Sequence, residues 1–90
     1  MARQKRDFGS SRAVPALRIS LGQRLRAIRQ ERGLSQQDLG ASAGLSGKFI
    51  GEVERGDKSV SIDSLYRVGR VLKVSLADLV ETPRAARAAR

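Results

Sequence analysis

The stretch GLSQQDLGASAGLSGKFIGEVERG, from Gly33 to Gly56, constrains the fold more than any other part of the chain. It holds two short apolar-periodic segments, each opened by a serine and divided by a glycine. Ser35 is placed to accept the unpaired amide protons of a helix's opening turn, and Asp38, three residues on, completes an S-x-x-D capping box. The first segment is therefore expected to become helical at about Gln36. Leu39 and Ala43 share one face four residues apart, and Gly44 supplies the left-handed backbone that lets a helix stop and turn sharply. Leu45 follows, and Ser46 caps again. In the second segment Phe49, Ile50 and Val53 fall on one face, whereas Gly47, Lys48, Gly51, Glu52 and Arg55 fall on others. Gly56 closes it. Two short helices joined at a tight glycine turn form a helix-turn-helix layout.

Helices this short do not offset the cost of nucleation in water, so they require partners. The flanking sequence supplies them. Upstream, Leu21, Leu25 and Ile28 recur at helical spacing after Ser20, a candidate cap, in a segment ending near Gly33. Downstream, Ser61 precedes Ile62, Leu65, Val68 and Leu72 on one stripe, and Ser75 precedes a last apolar turn through Leu76, Leu79 and Val80. Val71 to Val74 is too short, and lacks the turn signals, to argue for a strand. The expected fold class is all-α, with five helices.

Capped helices, a glycine turn, and the strings LSQQDL, the Phe49–Ile50 pair followed by EVERG, SIDSL and VSLADL resemble the Cro and phage-repressor family, also called Xre-type. The resemblance covers about residues 20 to 81, with the motifs in order at the family's spacing. It implies a compact five-helix, lambda-repressor-like domain that binds operator DNA, with the second helix of the pair in the major groove. The implied DNA-binding residues are Gln36, Ser46, Gly47, Lys48, Gly51, Glu52, Arg55, Lys58 and Ser59.

Within that set Lys48 is the foremost contact, since its ammonium donates to guanine O6 and N7, worth roughly 1–3 kcal/mol of discrimination. The alternative is a solvated surface lysine. Glu52 either accepts a hydrogen bond from a cytosine amino group or pairs with Lys48 one turn away. Gln36 resembles the family's glutamine that binds a phosphate and braces the reading helix. Lys58 and Ser59 resemble a second phosphate-facing site. Arg29 and Glu54 occupy the positions of a partly buried ion pair joining the first helix to the reading helix, a structural role. Leu39, Leu45, Ile50 and Val53 are core, and Phe49 packs rather than stacks on bases. The chain departs from the family's pattern at Gly47 and Gly51, where arginine, serine or lysine is frequent. Gly40 and Gly69 replace small alanines, and Lys73 stands where a glycine often ends the fourth helix.

Charge fits a polyanionic partner: 90 residues carry 18 basic and 9 acidic groups, a net charge of +9. Its distribution is uneven, with +4 on residues 1–19, +2 on 20–81 and +3 on 82–90. Residues 1–19 mix Arg3, Lys5, Arg6, Arg12 and Arg18 with Gly9, Ser10, Ser11 and Pro15, the make-up of a basic flexible arm. Such an arm either touches DNA or is a solvated tail. The basic tail of residues 82–90 repeats Arg84, Arg87 and Arg90 after Pro83, and the same two readings apply.

Neither cysteine nor histidine is present, which removes disulfides, thiolate metal sites, the commonest general base and the commonest metal ligand. Glu52 with Glu54 and Asp57 with Asp63 have no second catalytic group at a suitable spacing, and no phosphate-cradling glycine motif occurs. No catalytic residue, metal, cofactor or small-molecule ligand is expected, and the chain is not read as an enzyme. No signal peptide or membrane-length apolar run is visible, so a soluble, cytoplasmic protein is expected.

These features lead to a sequence-specific transcriptional regulator, a repressor or autoregulator, bound as a homodimer to an inverted repeat in double-stranded DNA. Helices four and five, near Ile62 to Val80 and with Tyr66 at the surface or half-buried, are the expected dimer surface by resemblance. Two alternatives stay open: a protein-interaction or antitoxin-type module on the same fold, and a weakly specific nucleoid-associated DNA binder.

Overall fold

A computed structural model describes residues 13–80. Five helices follow one another: α1 Ala13–Glu31, α2 Gln36–Ala43, α3 Gly47–Glu54, α4 Ile62–Leu72 and α5 Leu76–Val80. There is no strand among the described residues.

Local chemistry sets most of the boundaries. The Ser35 hydroxyl accepts from the Asp38 amide at 2.9 Å while the Asp38 carboxylate accepts from the Ser35 amide at 3.1 Å, a complete capping box. Ser46 accepts from the Phe49 amide at 3.0 Å and Ser61 from the Ser64 amide at 3.1 Å. A second reciprocal pair, Ser75 with Asp78, opens α5. Gly44 ends α2 at φ 74°, in the left-handed region where a Cβ is costly. Lys73 takes the same conformation at the end of α4, with φ 63°, although it carries a side chain. The stop expected of a glycine is therefore made by a lysine, at a local cost of about 1–2 kcal/mol.

One boundary differs from the sequence expectation. α1 starts at Ala13, inside the stretch assigned to the basic arm, so Ser20 lies within the helix and does not cap it. The apolar stripe explains the extension, because Val14 and Leu17 continue the Leu21, Leu25 and Ile28 spacing upstream. Pro15 is no obstacle, since first-turn residues have no intrahelical acceptor to lose. Arg3, Lys5, Arg6 and Arg12 of the arm, and the tail with Arg84, Arg87 and Arg90, lie outside the described residues.

Each helix contributes to one core: Leu21 and Leu25 from α1, Leu39 and Ala43 from α2, Ile50 and Val53 from α3, Leu65, Val68 and Leu72 from α4, Leu79 from α5. Leu45 and Phe49 pack against it half-buried. α2 and α3 pack most extensively on each other, α1 lies across α3 and α5, and α4 closes on α2 and α5. Arginines tie helix ends across this core. The Nε of Arg67 donates to the Ala43 carbonyl at 3.0 Å, that of Arg32 to Leu72 at 2.9 Å, that of Arg18 to Gly56 at 3.3 Å, and that of Arg24 to Asp78. The acceptors at Ala43, Leu72 and Gly56 stand at or just beyond a helix C-terminus, where carbonyls lack intrahelical partners and a cation is favoured.

Candidate nucleic-acid interface

α3 is held from beneath and open above. Its buried side carries Ile50, Val53 and Glu54. The Glu54 carboxylate receives two guanidinium bonds from Arg29, from Nε at 2.5 Å and from the terminal nitrogen at 3.0 Å. Both residues are 7% exposed. Hydrogen bonding to Glu54 raises the Arg29 pKa further above the usual guanidinium value, despite the opposing effect of burial, so the cation is permanent. Arg29 also donates to the Leu34 carbonyl at 2.8 Å, which links α1, the turn before α2 and the end of α3 through one side chain. Close approach completes the clamp. A Cβ on Gly22 of α1 would lie 2.5 Å from the Val53 carbonyl oxygen and closer still to that of Glu54.

The residues singled out from sequence lie only in part on the outward side of α3. Ser46 is exposed, its oxygen accepting from Phe49 while its hydroxyl proton is not engaged in that bond. Lys48 is exposed in the opening turn and forms no ion pair with a described residue. No acidic residue stands in that turn, so the amide-rich end of α3 and the Lys48 ammonium favour an anion together. Gly47 is half-buried against Gln37. Gly51 is buried, and the Gln36 carboxamide lies over it. Gln36 itself donates to Glu54 Oε1 at 3.0 Å, so it braces the reading helix through the same carboxylate that Arg29 holds.

Glu52 does not pair with Lys48. Its carboxylate, with a side chain only 18% exposed, faces Lys58 Nζ at 3.6 Å, which ties the end of α3 to the following loop. Of the two readings of Glu52, the turn-to-turn pairing with Lys48 gives way to this loop contact. Arg55 bonds Asp57 at 3.0 Å, with both side chains exposed. Ser59 is exposed and borders an apolar groove rather than standing beside Lys48. Thus Ser46, Gly47 and Lys48 stand at the start of α3, and the pairs Glu52 with Lys58 and Arg55 with Asp57 stand in its last turn and in the loop that follows.

Sequence reasoning did not single out Gln37, whose side chain lies against the first residue of α3. Its only signal was the position beside Gln36 in the capped turn. The groove was likewise extended by residues not assigned to it. Val14, Leu17 and Leu21 of α1 face Val60, Ile62, Leu65 and Val80 across a space of about 290 Å³. Among the described residues there is no cluster of side chains suited to a metal ion, and no helix long and apolar enough to cross a membrane.

Comparison with known proteins agrees with this geometry. A helix-turn-helix family model matches residues 25–79. The chain is 32% identical over 71 residues to an uncharacterised helix-turn-helix transcriptional regulator of Sinorhizobium fredii, covering 74% of this chain and 92% of that one. It is 32% identical over 66 residues to the control protein C.BamHI of Bacillus amyloliquefaciens, covering 72% and 82% of the two chains. Among solved structures, the restriction-modification controller protein C.AhdI of Aeromonas hydrophila superposes with a TM-score of 0.67 at 35% identity, over 69% of this chain and 94% of that one. These relatives are regulators rather than enzymes. A match over most of the folded residues, carried by a capped helix pair whose second helix opens on an exposed, cationic turn, shows that the chain belongs to the Cro and phage-repressor helix-turn-helix family of DNA-binding transcriptional regulators.

Proposed function

We propose that the protein recognises an inverted-repeat operator as a homodimer and controls transcription by occupying a promoter, as a repressor or autoregulator. The observation that carries this reading is the exposed Lys48, unpaired with any described carboxylate, at the N-terminal turn of a helix whose opposite side is clamped by Arg29, Glu54 and Gly22. A rigidly mounted cationic turn suits insertion into the major groove. Ser46, Gly47, Gly51, Glu52 and Arg55 complete the reading surface, and Gln36, Lys58 and Ser59 are assigned to the phosphate side.

Dimerisation follows from the sparsity of that surface. With glycine at 47 and 51, one subunit has few base-reading side chains, and a single half-site does not compete with a genome of non-specific DNA. A second copy is assigned to the apolar face where Ile62 is 68% and Tyr66 53% exposed, beside the groove lined by Val14, Leu17 and Val80. The site of action is the cytoplasm, where bacterial promoters lie. Residues 1–12 of the basic arm and the basic tail of residues 82–90 are assigned to phosphate contact.

Salt titrations with selected and random duplexes test the reading. A regulator keeps a large affinity ratio between the two, a packing protein loses nearly all binding steeply with salt, and an interaction module barely binds. Lys48→Ala is expected to weaken the selected duplex by about 1–3 kcal/mol with an unchanged melting temperature. Ile62→Glu places an acidic residue at a helix N-terminus, where it is tolerated, so loss of the dimer in sedimentation with the fold intact is the expected result. Deletion of residues 1–12 should flatten the salt slope, and an unchanged slope would make that segment a passive tail.

A further inference from the structure

Both glycines in the opening turns of α3 lie against glutamines of α2. A Cβ on Gly51 would stand 3.2 Å from Gln36 Oε1 and 3.3 Å from its Nε2, while a Cβ on Gly47 would stand 2.7 Å from Gln37 Oε1 and 3.1 Å from Gln37 Cα. Space that side chains of α3 would take is therefore occupied from the neighbouring helix. The two carboxamides differ in their commitments. Gln36 is bonded to Glu54. Gln37 is exposed, and its side chain makes no hydrogen bond with a described residue.

We propose that Gln37 is a base-reading residue, and that its carboxamide serves the position on DNA that a side chain at Gly47 would otherwise serve. A carboxamide offers an acceptor and two donors in one plane, the complement of the N6 and N7 edge of adenine. The glycine is what permits this arrangement, because a Cβ at 47 would press on the Gln37 amide and on its backbone. Specificity at this position is then delivered by α2, with α3 supplying the platform. The inference rests on the operator-binding function proposed above.

The test is selection from a randomised duplex pool by the full chain and by Gln37→Ala, with the bound fraction sequenced at fixed salt. Alanine is a strong helix former at an exposed position, so the fold is retained. The expected result is loss of preference at one base pair in each half-site, by roughly 5- to 100-fold, with every other position and the salt slope unchanged. Gly47→Ala should weaken preference at that same base pair by displacing the Gln37 amide. An unaltered selected site in Gln37→Ala overturns the assignment, as does uniform weakening across all sites, which is the mark of a phosphate contact. A wild-type chain without any sequence preference overturns the operator-binding function as well, so the two failures are distinguishable.

Discussion

The inner and outer sides of α3 are built by opposite means. On the inner side, backbone meets backbone under Gly22, and Arg29 grips Glu54 through two bonds in a site almost closed to water. On the outer side the contacts at Gly47 and Gly51 include the tips of glutamine side chains, and Lys48 reaches into solvent. Rigidity lies where the helix is mounted, and movable side chains lie on its solvent side. The same residue type shows the contrast, since a Cβ would meet immovable backbone at Gly22 but only a movable carboxamide and guanidinium at Gly51.

The difference can be broken by substitution. The largest effect is expected at the ion pair: Arg29→Met strands a buried carboxylate and should cost about 3–5 kcal/mol in denaturant unfolding. Arg29→Met combined with Glu54→Leu should recover most of that loss, and a double variant as unstable as the sum would show that the two residues do not act as a pair. Gly22→Ala comes next, at about 1–3 kcal/mol, because carbonyl oxygens of α3 must retreat from the added methyl. Gly51→Ala sharpens the comparison, for a gain of about 1 kcal/mol in helix propensity is offset only by displacement of the flexible Gln36 amide. Its melting temperature is expected to stay close to that of the wild type. A fall as large as that of Gly22→Ala would mean that the outer side is as rigid as the inner.

The smallest effect concerns pH. The Asp38 carboxylate, accepting from the Ser35 amide and hydroxyl, has a pKa lowered from its ordinary 3.8. A depressed carboxylate contributes fully above its unfolded pKa and loses that contribution as pH falls through the folded value. Acidification below about 4 should therefore loosen the start of α2, seen as faster amide exchange at Ser35 and Asp38. Asp38→Asn should abolish this pH dependence.

How far all this was legible depends on the range of the interaction. The four serine caps at Ser35, Ser46, Ser61 and Ser75 are contacts over three residues, and the sequence displays both partners at once. The core leucines follow from helical periodicity, and the Arg29–Glu54 pair followed from the family resemblance. What stayed hidden joins distant residues. Nothing local to Gly22 reveals that Val53 and Glu54 cross above it, and nothing local to Glu52 gives Lys58 priority over Lys48. The early start of α1 was masked by Pro15 and by the polar residues before it, although Val14 and Leu17 were already in phase with Leu21. Gln37 was passed over because its significance lies in the absence of a side chain ten residues away, at Gly47.

The early start of α1 also has a geometric consequence. Val14 and Leu17 at its beginning line the apolar groove, and Arg29 near its end holds the reading helix, so one unbroken rod of 19 residues, about 28 Å long, joins the two surfaces. A subunit seated in the groove would thereby aim α3 from a distance. Tilting that rod by some ten degrees would carry its far end about 5 Å, more than one base-pair step, so the packing of small aliphatic side chains at Val14 would help to choose which spacing of half-sites the protein accepts.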